Sequence, residues 1–493
     1  AGGSVLFNAD NTNAMVAENE FLDSIATNGG ALAFLSSNTG ANIMNNRIDG
    51  NEAESGGGLY FHLLNTGYTI TDDVFTNNNA NDCGAIQSYS SSGEVRDTSF
   101  RNNSAVIAGG AACFESVNNI VVNNATFYGN TQTGATVDAL GGGALYYKDC
   151  LDTLTIDNSL FVSNEAMMRG SAVYSKESYT IHSSNNEFTS NSAVNLGGTL
   201  FWHYTPQAGG VRDLPNILSV SDVFDGNAAP YGTELATQGM AVHSFNTSEF
   251  LFVSDFKSNP PMQISLLDYY NSSVTGTFGG SPIEMTFNAV PSDDWAYCVT
   301  GENGQTSSGQ VSGQSTITST QAGMLPTFTA MKLTCMPGNN MSVVFSYVAA
   351  TYADVSISGI EMADITTHYS TRMHILRAAF RECVAGEYYF NHECHVCPAG
   401  TYSFALNPVD YKLTVCEDAP PNVNETGTSG NSFSVNPGFW RISNQTDVPL
   451  KCPFGDTACA GGPNVLDGAC NALYEGNVYA FRLLILIIMY LLV

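Results

Sequence analysis

Two short motifs recur in register along the first half of the chain, and this repeat constrains the fold more than any other feature. One motif is a glycine-rich segment such as NGGALAF or SGGGLYF, and the other is an apolar anchor followed three residues later by Asn. Most steps between anchors, counted from Phe21, are 25 to 27 residues long. The repeated asparagines are Asn51, Asn78, Asn103, Asn130, Asn164, Asn191, Asn227 and Asn259, and the aromatic anchors include Phe75, Phe100, Phe127, Phe161, Phe188 and Phe224. This regular step predicts one structural unit per repeat.

Each unit contains about three short alternating runs of apolar and polar residues, and none shows a sustained helical period. Such a unit fits one coil of a parallel β-helix, in which equivalent residues of successive coils lie above one another. We therefore predict about nine coils over residues 1–260, forming a rod of about 40 Å. The Phe anchors would form an internal column, and the glycines a corner. The asparagines would form a hydrogen-bonded ladder and would tolerate left-handed turns.

The two motifs, GGA followed by an aliphatic residue and F-x-x-N, resemble the polymorphic outer membrane protein repeat. That family is known for bacterial surface adhesins with a right-handed parallel β-helix, and similar repeats occur in surface proteins of algae and other protists. The resemblance covers about residues 1–260 and implies an all-β rod at a cell surface. It implies no particular activity, because a fold does not determine a function.

Residues 261–380 alternate in short runs such as MSVVFSYVAA between turn-rich segments, which predicts a small β-sandwich. Cys298 and Cys335 are expected to join two of its strands, and the segment THYSTRMHILRAAF could instead be helical. Within the rod, the three cysteines are either buried thiols or one disulfide plus a free thiol. They are Cys83, Cys113 and Cys150, and a bridge between the first two would join adjacent coils.

Residues 381–475 form a cysteine-rich region that includes the segment ECHVCPAGTYSF. The pattern C-x-x-C-P-x-G-T-Y-S resembles the small modules of the ephrin-receptor-like, growth-factor-like type. The bridges that this resemblance implies are Cys383–Cys394 and Cys397–Cys416, and Cys452 and Cys459 form a further candidate pair. The alternative is a zinc site, because His392, Cys394, His395 and Cys397 lie close together in the sequence. The overall prediction is an all-β chain: a right-handed parallel β-helix, a small β-sandwich and a disulfide-rich module.

The composition favours an extracellular or cell-surface location. Nine of the 12 cysteines lie after residue 297, which is typical of disulfide frameworks formed in oxidising compartments. Seven sequons predict N-linked glycans, at Asn102, Asn124, Asn246, Asn271, Asn340, Asn424 and Asn444. The chain has 16 Lys plus Arg against 45 Asp plus Glu, a net charge of −29. So few cations argue against nucleic acid as a partner.

The final segment, residues 476–493, ends in the run LLILIIMYLLV. These 11 apolar residues are fewer than the ~20 that a membrane-spanning helix requires. The segment fits either a membrane span that is cut short or a buried terminal helix or strand. Any membrane contact is expected only through this segment.

No motif assigns an enzymatic activity. Carbohydrate-cleaving β-helix enzymes place clustered carboxylates or cations on one outward face. Here Asp72-Asp73 is the acidic pair of the repeat region, in a strand whose successive residues point to opposite faces, and His62 stands alone. No cofactor is expected; Ca²⁺ could bind so acidic a chain through NADNTN or TDD, but neither segment has the ligand spacing of a defined Ca²⁺ loop.

The sequence therefore favours a non-enzymatic structural protein, a glycosylated subunit of a surface filament or appendage. Its partners would be other copies of itself or other surface proteins. One alternative is a monomeric adhesin that binds a receptor or a glycan. The other is a β-helix enzyme that cleaves polysaccharides.

Overall fold

The computed structural model describes residues 3–135, 139–150, 152, 154–178, 181–203, 217–237, 241–244, 250–253, 257–258, 262–278, 281–292, 298–299, 306–307, 309–318, 325–352, 374–390, 393–405, 416–432, 434–452 and 454–463. Nearly all elements in these ranges are β-strands, and the only helical ones there are the 3-10 turns Glu425–Gly427 and Gly455–Thr457. Across these ranges we find no helix with the length and hydropathy needed to cross a membrane, and residues 476–493 fall outside them.

The described strands between Val5 and Thr237 form a parallel β-solenoid of four sheets, numbered in the order in which they follow along the chain. Sheet 1 contains Val5–Ala9, Leu32–Ser36, Leu59–His62, Ile86–Tyr89, Ala112–Glu115, Leu145–Lys148, Val173–Lys176, Leu200–His203 and Leu235–Thr237. Sheet 2 contains Met15–Ala17, Asn42–Met44, Thr66–Thr71, Ser92–Arg96, Val121–Asn123, Leu154–Asp157, Ile181–Ser184 and Ile217–Val220. Sheet 3 contains Glu20–Leu22, Arg47–Asp49, Val74–Thr76, Ser99–Arg101, Thr126–Tyr128, Leu160–Val162, Glu187–Thr189 and Val223–Asp225. Sheet 4 contains Ile25–Asn28, Glu52–Ser55, Asn79–Asp82, Ser104–Ala105, Thr131–Gln132, Glu165–Ala166 and Ser192–Ala193.

Within the described residues, seven coils contribute a strand to all four sheets, and later residues add strands to sheets 1, 2 and 3 only. The parallel β-helix is thus confirmed, with about seven complete coils instead of nine and four strands per coil instead of three. The additional strand arises where a run such as YTITDDVF, taken from the sequence as one strand, breaks at the corner Asp72-Asp73 into Thr66–Thr71 and Val74–Thr76. Sheet 4, the return toward the glycines, buries only small side chains, as in Ala53, Ala80 and Ala105. The alanine two residues after the repeated Asn is the sequence signal that marks it.

The aromatic anchors form a stacked column inside sheet 3. Successive ring centroids lie 4.6 to 5.1 Å apart along Phe75, Phe100, Phe127, Phe161, Phe188 and Phe224. Ile48 and Phe21 continue the same register toward the first coil. Because the strands are parallel and in register, each ring packs on its equivalents in the neighbouring coils, which excludes water along the length of the solenoid.

The asparagine ladder runs beside this column, at the corner between sheets 3 and 4. Asn78 shows the pattern: its side-chain Oδ1 accepts hydrogen bonds from the backbone N (3.1 Å) and Nδ2 (2.9 Å) of Asn51. Its Nδ2 donates to the Ile48 carbonyl and to Asn103 Oδ1, both at 2.9 Å. The pattern repeats through Asn103, Asn130, Asn164, Asn191 and Asn227. Asn259 lies outside the described residues.

The left-handed turn at this corner belongs to the residue before the ladder asparagine, and not to the ladder residue itself as the sequence suggested. Asn77 (φ 51°), Asn102 (φ 54°) and Gly129 (φ 65°) occupy this position in three coils. Asn and Gly adopt positive φ at little cost. The third residue of F-x-x-N must therefore adopt a left-handed backbone conformation, whereas the fourth must supply the side-chain hydrogen bonds of the ladder.

Two further polar ladders, absent from the sequence prediction, line other corners. Between sheets 1 and 2, Asn11 Nδ2 donates to Asn38 Oδ1 (2.6 Å), and Asn38 Nδ2 donates to Asn65 Oδ1 (2.8 Å). Between sheets 2 and 3, Asn46 donates to Asp73 Oδ1 from its backbone N (2.6 Å) and its Nδ2 (2.9 Å). Inward polar side chains thus satisfy buried backbone groups at three corners of the coil.

Asp73 is an acidic residue at a position that suits Asn. Its Oδ2 is buried and has no hydrogen-bond partner, and burial raises the pKa of its carboxyl from 3.8 to about 6. In the preceding coil, Asn46 Nδ2 at the equivalent place donates to the Val16 carbonyl (2.9 Å). We expect Asp73→Asn to raise the free energy of unfolding by about 2 to 3 kcal/mol at pH 7.5, since each pKa unit corresponds to about 1.4 kcal/mol.

The pH dependence of this effect has a defined sign. A carboxyl with a raised pKa in the folded state is protonated in both states below about pH 4, and the folded state holds more protons up to about pH 6. Wild-type stability should therefore fall as pH rises through this window, and the advantage of Asp73→Asn should grow. Urea unfolding at pH 4 and 7.5 measures this, with the exposed neighbour Asp72→Asn as control. An advantage that is equal at both pH values would contradict it.

The corner between sheets 4 and 1 requires glycine because the coils approach closely there. A Cβ added to Gly84 would lie 2.0 Å from the carbonyl oxygen of Gly110 in the next coil, and one added to Gly57 would lie 2.3 Å from that of Gly84. The residue before Gly57 is Gly56, whose φ is 61°. The repeated glycines thus combine a left-handed turn with close backbone contact.

After Thr237 the chain forms smaller, mainly antiparallel sheets. One contains Ala241–Ser244, Met262–Leu267 and Thr327–Phe328. A second contains Phe250–Val253, His374–Phe380, Asn340–Tyr352, Ser281–Ser292, Thr277–Phe278 and Thr316–Thr318. A third contains Lys257–Ser258, Met331–Thr334 and Gln310–Gly313. Two-stranded pairs are Cys298–Val299 with Thr306–Ser307, Glu387–Phe390 with Glu393–Val396, Thr401–Tyr402 with Glu417–Asp418, and Phe439–Trp440 with Leu450–Lys451.

The strand His374–Phe380 replaces the helix considered for this segment. Leu376, Ala378 and Phe380 are buried, whereas Ile375 and Arg377 between them are exposed. This alternation has the period of a strand, and Asn340–Tyr352 supplies an antiparallel partner.

The structure joins Cys383 to Cys394, Cys397 to Cys416, Cys452 to Cys459 and, between adjacent coils, Cys83 to Cys113. Cys150 is a free, buried thiol. It lies at the corner between sheets 1 and 2, where its backbone N donates to Ser178 Oγ (3.2 Å). Cys335 is buried and disulfide-bonded, and the side chain of Cys298 lies outside the described residues.

Candidate functional site

The outer face of sheet 1 concentrates large side chains that do not follow the repeat. Strand residues alternate there, so that Leu59 and Phe61 are buried in the solenoid core while Tyr60 and His62 take the alternate, outward positions. The parallel register aligns one outward column, His62, Tyr89, Glu115, Lys148 and Lys176. It aligns a second column, Tyr60, Gln87, Cys113, Tyr146 and Tyr174.

The connections from sheet 4 to sheet 1 decide which part of this face is covered. In the earlier coils the connection is three residues long, for example 83–85, but it lengthens to residues 106–111 and then to 133–144. From there on Ala108, Met168 and Leu196 share a second hydrophobic core with Tyr174 and Phe201. The outer face of sheet 1 is therefore core in the later coils and surface in the earlier ones.

Three aromatic side chains mark the uncovered part. The rings of Tyr60 and His62 stack with their centroids 5.6 Å apart, and those of His62 and Tyr89 with theirs 5.7 Å apart. Tyr89 is 36% exposed. Leu64, which follows the strand that ends at His62, is 66% exposed. Their stacking holds the rings in fixed orientations on a rigid sheet.

Four polar side chains adjoin these rings. Gln87 Nε2 lies 3.4 Å from Glu115 Oε1, and Lys148 Nζ lies 3.8 Å from Glu115 Oε2. Asp82 Oδ1 lies 3.5 Å from Cys83 Sγ, a disulfide sulfur that has no proton to donate. Burial, and then the charge of Glu115, raise the pKa of the Asp82 carboxyl to about 7, while Lys148 lowers it. We call these residues, with the three aromatic ones and Tyr146, the sheet-1 cluster.

Two buried polar atoms in the sheet-1 cluster have no hydrogen-bond partner. They are Gln87 Oε1, in a residue that is 8% exposed, and the hydroxyl of Tyr146, which is 1% exposed. Burial, followed by the nearby Tyr174, Glu115 and Asp82, raises the pKa of the Tyr146 hydroxyl well above its usual value. Buried polar groups are rarely left unsatisfied, so a bound water or a ligand group is expected to bond with these atoms.

The cluster offers carboxylate acceptors, an ammonium donor, an amide and phenol groups on one rigid sheet, and it ranges from the exposed Tyr89 to the fully buried Tyr146. Such a mixture suits a polyhydroxylated ligand or a hard cation. In this region the sequence had indicated only Cys83 and Cys113, as a possible bridge, and His62, as an isolated residue. The missed signal lies in the outward positions of the glycine-led strands LYFH, IQSY, ACFE and LYYK, which become neighbours only once the register is known.

The predicted glycosylation sites lie mostly at the surface. The exposed sequon asparagines are Asn102, Asn124, Asn271, Asn340, Asn424 and Asn444, and Asn246 falls outside the described residues. Asn102 and Asn124 occupy left-handed corner positions of the solenoid, whose side chains point to solvent. An exposed turn residue is geometrically open to glycan attachment.

Other sequence candidates are not brought together into a site. Asp72 and Asp73 lie at a corner, not within a strand, and only Asp72 is exposed. Cys394 and Cys397 belong to different disulfides, so they cannot supply thiolate ligands to the zinc site considered above. His395 instead lies 3.7 Å from Glu393.

No protein-family model matches the chain, and no solved structure matches it. The chain is similar to the metabotropic glutamate receptor-like protein R of Dictyostelium discoideum, with 28% identity over 214 residues. The match covers 35% of the present chain and 13% of that protein, so the chain spans only a small part of its length. The disulfides are consistent with an extracellular or cell-surface protein, because such bonds persist in oxidising compartments.

Proposed function

We propose that this chain is the extracellular recognition region of a cell-surface protein and that it binds glycans, without catalysis, through the sheet-1 cluster. The observation that carries the proposal is the uncovered part of sheet 1, where stacked aromatic rings adjoin hydrogen-bond donors and acceptors. Ligand sites combine apolar surface with a few oriented polar groups. The receptor-like relative supports a recognition role at a cell surface.

The solenoid would serve this role by holding the cluster rigid. Tyr60, Gln87 and Cys113 lie on adjacent strands of one sheet, and the Cys83–Cys113 bridge joins two coils beside Gln87 and Asp82. Preorganised groups lose little conformational entropy on binding. N-linked glycans at the exposed sequons are part of this proposal, as additions that keep other surfaces of the rod soluble.

A glycan array probed with the whole chain tests the proposal. We expect binding to a defined set of glycans, and a loss of about tenfold or more for Tyr89→Ala, which removes an exposed ring from the cluster. Tyr128→Ala removes another exposed ring, on sheet 3 and 49% exposed, and should leave binding unchanged. The proposal fails if no glycan binds or if both variants behave alike.

The second candidate is a subunit of a filament that other copies extend. It is favoured by exposed apolar side chains in the first coil, where Met15 is 68% exposed and Ile25 is 74% exposed. Both take outward positions of their strands, so a second copy that packs against the side of the first coil would cover them. Sedimentation velocity separates the two candidates, because a filament subunit should form ordered oligomers, and a single monomeric species would exclude assembly.

A further inference from the structure

A tight hairpin turn just after the solenoid contains the sequon residue Asn271. Asn271 N donates to the Asp268 carbonyl (3.2 Å), Asp268 N donates to the Ser272 carbonyl (3.0 Å), and Leu267 forms an antiparallel bridge with Ser273. Asn271 has a φ of 63°, so the turn closes on a left-handed residue, as three-residue hairpin loops commonly do. In the part of the chain that the structure describes, its side chain is exposed and makes no hydrogen bond. The amide nitrogen is therefore free for attachment of a glycan.

The same turn exposes an aromatic ring. Tyr269 is 41% exposed, and its ring centroid lies 5.2 Å from that of Tyr270 and 5.6 Å from that of Trp202. These contacts hold the ring in place. Asn271 follows Tyr269 by two residues in one turn, and the Cα atoms at the ends of such a turn are less than ~7 Å apart. A sugar on Asn271 Nδ2 is thus within reach of the ring.

The other sequons lack this arrangement. Phe100, two residues before Asn102, is 1% exposed inside the solenoid, and the remaining five sequons have no aromatic residue at that position. The spacing of an exposed ring and a sequon within one turn is thus particular to Asn271.

The turn also joins the solenoid to the sheets that follow. Asp268 Oδ2 accepts a hydrogen bond from Thr237 N (3.2 Å), and Tyr269 N donates to Thr237 Oγ1 (2.9 Å). Trp202 Nε1 donates to the Tyr270 hydroxyl (3.1 Å). Thr237 and Trp202 belong to the last two strands of sheet 1. A group that stiffens the turn would therefore stiffen this junction.

We propose that Asn271 carries an N-linked glycan whose first sugar packs on Tyr269 and strengthens the junction between the solenoid and the sheets that follow it. This inference rests on the N-linked glycans included in the proposed function. The donor is a lipid-linked oligosaccharide pyrophosphate: a bond forms between Asn271 Nδ2 and the anomeric carbon of the sugar, the bond from that carbon to the pyrophosphate oxygen breaks, and the amide loses one proton. The attached β-linked N-acetylglucosamine has an apolar face of C–H groups, which suits contact with an aromatic ring.

The test uses the full chain secreted from eukaryotic cells. Mass spectrometry of the peptide that contains Asn271 should show a glycan, and Ser273→Ala should abolish it because the sequon is lost. Hydrogen exchange then reports on the turn. Loss of the glycan should speed exchange of the amides of Asn271, Ser272 and Thr237 about fivefold, the effect expected for one lost ring contact. Ser273→Thr keeps the sequon and should exchange as wild type does.

A double-mutant cycle with Tyr269→Ala separates ring packing from any other effect of the glycan. Once the ring is absent, Ser273→Ala should cause no further change in exchange. Asn444→Gln, at an exposed sequon in the cysteine-rich region, should leave the turn unaffected. An unglycosylated Asn271 would overturn the proposal, as would an effect of Ser273→Ala that is the same with and without Tyr269. Neither outcome depends on the glycan array, where Tyr89→Ala tests binding by the sheet-1 cluster, so the two proposals fail separately.

Discussion

Replacing Asn78 with alanine should lower the free energy of unfolding by about 5 kcal/mol. The side chain makes four hydrogen bonds inside the solenoid, and alanine would remove all four from buried groups of Asn51, Asn103 and Ile48. Asn103 Oδ1 would keep only the bond from the backbone N of residue 78. Each buried polar group without a partner costs about 1 to 3 kcal/mol. The loss should appear in urea unfolding followed by circular dichroism.

The segment Asn77-Asn78-Asn79 contains its own controls. Asn77 makes the left-handed turn, Asn78 is 0% exposed in the ladder, and Asn79 lies exposed in sheet 4. Asn79→Ala should change the free energy of unfolding by no more than about 0.5 kcal/mol, as surface substitutions usually do. Equal effects of Asn78→Ala and Asn79→Ala would refute the ladder as a major source of stability.

Phe127→Ala should lower the free energy of unfolding by about 4 kcal/mol. The ring is fully buried and stacks between Phe100 at 4.9 Å and Phe161 at 4.6 Å. Removing a buried aromatic side chain costs about 3 to 5 kcal/mol, because the transfer free energy is lost and a cavity remains. A rigid stack of coils has little freedom to close that cavity.

The adjacent residue provides the matched comparison. Tyr128 follows Phe127 in the same strand but is 49% exposed on the outer face. Tyr128→Ala removes a similar ring and should shift the urea midpoint only slightly. A loss for Tyr128→Ala that matches the loss for Phe127→Ala would mean that the aromatic column is not a specific source of stability.

The repeat made the solenoid predictable because the anchor and the asparagine of every coil make the same two contacts, a stacked ring and a ladder hydrogen bond. Phe75 and Asn78 recur in register, and in-register stacking is the arrangement that satisfies both at once. The division of a run such as YTITDDVF into two strands was not predictable from periodicity, since apolar and polar residues alternate on both sides of the corner at Asp72-Asp73. The two ladders at the other corners were not predicted because their positions accept Asn, Asp, Ser or Thr, so no single residue type repeats there.

The sheet-1 cluster lay beyond sequence reasoning. Asp82, Gln87 and Glu115 are separated by up to 33 residues and belong to three different strands. Their proximity depends on the register between coils, and the short connections of the earlier coils, such as 83–85, leave this part of the face open. Both are three-dimensional properties, because no local sequence motif specifies which coils pair or which path a connection takes.

The asparagine ladder also sets the smallest segment that can be stable alone. Asn78 binds the Ile48 carbonyl and Asn51 in the preceding coil and Asn103 in the following one, so its bonds span three coils. Cooperativity between repeats is usually described by nearest-neighbour contacts. Here a single excised coil, or a pair, would retain no complete ladder residue. Fragments that keep native structure should therefore contain at least three consecutive coils, and length variation in such rods should proceed by whole coils.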